Sequence, residues 1–96
     1  MKVKNINGTS QTTCKCGSWL QHWKNFSGVA LGQHCYEISC TSKPELGAHV
    51  QKDGSTDASW YIVPLCTRHN NMKGESIDLV SSAVLVSANK QQTCEK

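Results

Sequence analysis

Cys66 and His69 stand as Cys-x-x-His directly behind an apolar run, Trp60-Tyr61-Ile62-Val63-Pro64-Leu65, and that junction constrains the fold of this chain more than any other segment. A thiol just before a helix and an imidazole in its first turn converge on one point, the local geometry of a tetrahedral metal knuckle. Upstream, Gly47-Ala48-His49-Val50 forms a second short apolar strand that closes on His49, and the turn dipeptide Asp53-Gly54 lies between the two. The expected unit is strand, turn, strand and helix, with metal ligands at the step from strand to helix.

Cys35 and Cys40 offer the other half of a site. They are spaced Cys-x4-Cys within residues 29–47, where Gly32, Pro44 and Gly47 interrupt any periodicity. Such a loop needs something other than apolar packing to organise it. Together with Cys66 and His69 the pair makes a Cys3His set, and closing a zinc site of this kind supplies on the order of 10–16 kcal/mol in small domains. The chain has 96 residues, and a domain of that size buries only roughly 60% of the surface its unfolded chain exposes, so a staple matters.

Three further cysteines remain. Cys14-Lys15-Cys16-Gly17 has the form of a tight knuckle with both thiolates pointing one way, and Cys94 or His22 would complete a second site there. Alternatively Cys94 bridges Cys14 or Cys16, or Cys14 and Cys16 pair with Cys66 and His69 while Cys35 and Cys40 serve elsewhere. His34, beside Cys35, is an outside candidate for a ligand. Six cysteines are also an even set for a disulfide-stapled secreted domain. Residues 1–12, however, contain no apolar run of the roughly 7–15 residues that a signal peptide uses, and no stretch of about 18 apolar residues would cross a membrane. The expectation is a soluble cytoplasmic protein, with no membrane partner and no small-molecule cofactor, in a reducing setting that favours metal-bound thiolates over disulfides.

Composition and pattern divide the chain into a flexible amino-terminal arm over residues 1–12, a single zinc-binding domain over 13–90 and a tail over 91–96. Trp19, Leu20, Trp23 and Phe26 recur at three- and four-residue spacing, which predicts a short helix with an apolar core face, capped by Ser18 and stopped at Gly28. On that helix His22 is expected at the surface or its boundary. Val84-Leu85-Val86 predicts a final strand. The fold class is α+β: a small zinc-stabilised ββα unit with an additional amino-terminal helix and a carboxy-terminal strand. Net charge is +3, with lysine and arginine dispersed rather than clustered, which permits a nucleic-acid partner without pointing to one.

The order Cys35-x4-Cys40, Ala48-His49-Val50, then Ile62-Val63-Pro64-Leu65-Cys66-x-x-His69-Asn70-x-x-Lys73 resembles the HNH endonuclease module, a treble-clef ββα-metal domain. The resemblance spans residues 35–73, less than half of the chain, and leaves residues 14–30 outside it. It implies His49 as the general base that activates water against a phosphodiester, Asn70 as a helix ligand for Mg²⁺ or another divalent ion, and Lys73 as a phosphate contact. Two positions depart from the pattern. Ala48 stands where the family carries a metal-binding acid, and Tyr61 stands near the place of its middle asparagine. An amide without a carboxylate partner holds a hard cation poorly, and the nearest substitutes in sequence are Asp53, Asp57 and Glu75. His49 has plainer roles as well, as a hydrogen-bonded structural residue or as a zinc ligand in place of His69. The expected function is a non-catalytic zinc module that engages nucleic acid or protein, with a divergent metal-dependent nuclease as the alternative.

Overall fold

The computed structural model describes residues 2–6, 18–54, 56–57, 59–72 and 74–88. Seven elements follow one another: β1 (Lys2–Asn5), α1 (Trp19–Phe26), β2 (Leu46–Lys52), β3 (Tyr61–Leu65), α2 (Thr67–Asn70), β4 (Ser76–Asp78) and β5 (Val86–Ser87). The strands form one antiparallel sheet in the order β4-β1-β2-β3-β5, so the architecture is α+β and mostly β. No helix among the described residues is long and apolar enough to cross a membrane.

The hairpin forms the centre of the sheet. β2 and β3 pair in the register Ala48 with Val63 and His49 with Ile62. Because side chains alternate across a strand, this register sorts the residues onto two faces. Ala48 and Val50 join Val63, Leu65, Val3 and Ile77 on one face, in a core that also holds Cys35, Cys66, Leu79 and Ala83. On the other face Ile62 packs with Trp23 and Val86 in a smaller core. His49 belongs to this second face. It lies in the interior of β2 rather than at its end, because β2 continues through Lys52.

Residues 2–5, which their polarity placed in a flexible arm, instead form a sheet strand hydrogen-bonded on both sides, to β2 and to β4. Alternation explains this: Lys2 and Lys4 face solvent while Val3 and Asn5 are buried. Fully burying a valine contributes about 1.5–3 kcal/mol, and two neighbouring strands satisfy the backbone. Residues 7–12 of the expected arm lie outside the described residues.

α1 forms where its spacing predicts, and Ser18 caps it in extended backbone, its hydroxyl accepting from the Gln21 N–H at 3.0 Å. The buried face is rotated from the expected one. Trp23 and His22 are buried while Phe26 is 44% exposed. His22 is drawn in because its Nε2 lies 2.8 Å from the carbonyl of Ser87. A carbonyl can only accept, so Nε2 carries the proton. Trp23 Nε1 donates to the Val84 carbonyl at 2.8 Å. These two ring nitrogens tie the carboxy-terminal segment to α1, and the expected last strand forms one step later, at Val86–Ser87.

α1 crosses β2 at Gly47. A Cβ placed there would collide with the backbone of Trp19 and Leu20, so only glycine admits this approach. Gly47→Ala is expected to lower stability by about 1–3 kcal/mol, the range for forced overpacking, seen as a lower midpoint in urea. An unchanged midpoint would contradict the close crossing.

Candidate metal centre

Two segments meet on the larger-core face. The turn at residues 35–40 is fastened by backbone bonds from the Tyr36 N–H to the Pro64 carbonyl (3.2 Å), from Ile38 to Asp78 (2.8 Å) and from Val80 to Tyr36 (3.0 Å). Within it, the Cys35 N–H donates to Ser42 at 2.7 Å and the Cys40 N–H to Glu37 at 3.1 Å. The Glu37 carboxylate accepts from the Ser39 N–H at 2.7 Å and its hydroxyl at 2.8 Å. Those bonds, the hydroxyl's above all, hold the Glu37 carboxyl below its ordinary range. The second segment is the step from β3 into the single turn of α2, where Cys66 takes the cap position and His69 completes the turn.

The structure brings Cys35, Cys40, Cys66 and His69 together, with one donor atom from each lying within 4.8 Å of all the others. Cys35, Cys66 and His69 are buried and Cys40 is half-buried. His69 Nδ1 lies 3.2 Å from Cys66 Sγ and 3.5 Å from Cys35 Sγ, and the Cys40 and Cys66 sulfurs are 3.8 Å apart. A tetrahedral ion with sulfur at about 2.3 Å and nitrogen at about 2.0 Å sets its ligands roughly 3.8 Å apart for two sulfurs and roughly 3.5 Å for sulfur and nitrogen. The His69–Cys35 and Cys40–Cys66 separations match those edges and the His69–Cys66 separation is about 0.3 Å shorter, so the donor set could hold a metal ion in both chemistry and spacing. Zinc is the ion that three thiolates and one imidazole suit best.

The thiols differ in how readily they ionise. Burial pushes Cys35 up to about 12, against partial opposition from backbone hydrogen bonds at Glu37 and Cys66. Burial also acts upward on Cys40, but hydrogen bonds from the Ser42 backbone and from the Cys66, Ser42 and Cys35 side chains outweigh it and leave Cys40 below its ordinary value. Cys40 is thus the readier thiolate, and Cys35 releases its proton only to a strong competitor such as a metal ion.

The residues assigned to catalysis are not assembled with one another. His49 packs edge-on between Trp19, with ring centroids 4.6 Å apart, and Trp60, at 6.3 Å, on the α1 face of the sheet. Asn70 ends α2, which sits with the cysteines over the opposite face. Ala48 lies in the larger core. Tyr61 donates its hydroxyl to Asp57 at 2.6 Å, and Asp57 also lies 3.5 Å from Lys52 at the hairpin tip. That bond, with smaller help from Ser59 and Lys52, holds the Asp57 carboxyl well below its usual range. Asp53 bonds the Ser76 hydroxyl, and Glu75 is exposed. His34 is exposed, with Nδ1 3.0 Å from the Thr41 carbonyl, and stands apart from the cluster. Cys14, Cys16, Cys94 and Lys73 lie outside the described residues.

One residue at the site carried no signal in the sequence. The Asn5 side chain donates from Nδ2 to the carbonyls of His69 (3.1 Å) and Asn70 (2.7 Å), a contact between residues at opposite ends of the domain that no local pattern announces.

Metal uptake should be strongly proton-linked. With an ordinary value of 9.0 and a folded value near 12, Cys35 is protonated at neutral pH in either state, so binding must expel its proton. Apparent zinc affinity is expected to rise by about tenfold or more per pH unit across neutrality; titration at several pH values checks it, and a pH-independent affinity would contradict it. No family model, curated protein or solved structure matches this chain, so its functional reading rests on the donor set itself.

Proposed function

We propose that this chain is a structural zinc module that acts through binding rather than catalysis. The observation that carries the reading is that four protein side chains, Cys35, Cys40, Cys66 and His69, bring their donor atoms within 4.8 Å of one another, enough ligands for a closed tetrahedral site. A catalytic zinc keeps one position for water or substrate, whereas a structural zinc is closed by four protein ligands. Zinc here would cross-link the 35–40 turn to the base of the hairpin, adding to the Tyr36–Pro64 backbone bond that already joins them.

The HNH-like reading draws support from the order β2, β3, α2 and from the knuckle at the β3–α2 step. Its catalytic half draws none. His49 packs against Trp19 and Trp60, and Asn70 ends the turn over the other face, a placement that favours the binding reading. A partner would meet a mildly basic surface, net charge +3 for the chain, with Trp60 and Phe26 exposed on the α1 side and Ile38 exposed in the 35–40 turn. Such a surface suits contact with protein or with nucleic acid.

Native mass spectrometry is expected to find zinc on the chain, and a strong chelator should remove it together with the near-ultraviolet signal of the packed tryptophans. Cys66→Ala should behave like the chelated protein, because removing one buried ligand forfeits most of the binding energy. A chain that keeps its tertiary signal with zinc fully stripped would overturn the structural role. Plasmid DNA incubated with Mg²⁺, Mn²⁺ or Ni²⁺ is expected to stay intact; nicking that disappears in His49→Ala would restore the nuclease reading.

A further inference from the structure

Asn5 is 1% exposed at the end of β1, on the sheet face that carries the cysteines. Its backbone is fixed on both sides: its N–H donates to the Glu75 carbonyl at 3.2 Å, and its own carbonyl accepts from the Gly74 N–H at 2.9 Å. Both carbonyls held by Nδ2 belong to the end of α2, 64 and 65 residues away along the chain. The other half of the amide is idle. Oδ1 is buried with no hydrogen-bond partner among the described residues.

That asymmetry separates two roles. Burying an unmatched acceptor costs about 1–3 kcal/mol, and an apolar residue of the same shape would avoid the cost. If Asn5 served only to fill the core, its amide would be a liability. What an apolar residue cannot do is donate two hydrogen bonds to the carbonyls of the residue that carries the imidazole and of its neighbour. Holding those peptide planes fixes the Cα–Cβ direction of His69. From there Nδ1 reaches 3.2 Å from Cys66 Sγ and 3.5 Å from Cys35 Sγ.

We propose that Asn5 is the positioning residue of the Cys3His centre, and that through it metal binding and the docking of β1 against β2 and β4 are one coupled event. The inference rests on the metal-binding reading above. Outer partners that orient a ligating side chain typically govern 10–100-fold of metal affinity, and linkage makes the coupling reciprocal: whatever the docked strand adds to metal affinity, the metal adds to strand docking. Apart from its backbone pairing with β2 and β4, β1 has only Val3 as a buried apolar side chain to hold it. Metal loading is thereby reported to β1, and loss of the ion loosens this strand between β2 and β4.

The test compares the wild-type chain with Asn5→Leu, which keeps the volume and removes both donors, and with Val3→Ala, which weakens the same strand but keeps them. At saturating Co²⁺, where differences in fold stability no longer matter, Val3→Ala should show the wild-type ligand-field spectrum. Asn5→Leu should show an altered one, with zinc affinity lower by about 10–100-fold. A wild-type chain that binds neither ion removes the metal-binding reading and this inference with it. A wild-type chain that binds, beside an Asn5→Leu variant with the wild-type cobalt spectrum, overturns the inference alone. Should the leucine variant fail to fold, amide exchange in the wild-type protein gives the answer without it. Partial removal of zinc, short of losing the tryptophan signal, should accelerate exchange in β1 more than in β3; equal acceleration, or none, overturns the coupling.

Discussion

Three thiol sulfurs and an imidazole nitrogen converge within 4.8 Å on one side of the sheet, and the surrounding structure depends on what holds them there. Thiols are weak hydrogen-bond donors and acceptors, so their mutual contacts at 3.2–3.8 Å offer little to offset the entropy of ordering a loop. A metal ion changes that balance. It turns the four side chains into a cross-link between the turn at 35–40 and the β3–α2 step, and on this account the cross-link organises a stretch that has no apolar periodicity. The hydrogen bonds of Glu37, Ser39 and Ser42 then shape the turn around the donors rather than fold it unaided.

The sheet divides two kinds of work between its faces. On one face lie the larger core and the metal ligands; on the other, α1 covers the smaller core, with Gly47 allowing helix and strand backbones to touch. His22 and Trp23 extend that second layer by binding carbonyls near β5. His49 belongs to the aromatic layer and not to the layer of the Cys/His cluster, and for this reason a histidine and a Cys-x-x-His turn that look adjacent in the sequence lie on opposite faces of the sheet. Asn5 connects the metal layer to the amino-terminal strand.

The parts of the site legible in the sequence are those where chemistry is local. Cys66-x-x-His69 behind an apolar strand, and Cys35-x4-Cys40 in a Gly- and Pro-marked loop, point to one cluster because both spacings set their side chains toward a common point, and the structure brings these four together. The hairpin was legible for a similar reason, through Asp53-Gly54 between two apolar runs. What sequence could not show was face and register. Moving a strand by one residue exchanges its faces, so whether His49 meets Asn70 or Trp19 depends on the pairing with Ile62, which no short pattern specifies. β1 was hidden because a four-residue strand with a single valine carries too little alternation to read. His22 was misplaced because one long-range carbonyl rotated the buried face of α1.

X-ray absorption at the zinc edge of the purified, metal-loaded chain addresses the central claim most directly. The account predicts a first shell of three sulfurs at about 2.3 Å and one nitrogen at about 2.0 Å. A shell of oxygen and nitrogen alone would contradict the site, and a shell of four sulfurs would mean that a cysteine outside the cluster, and not His69, completes it.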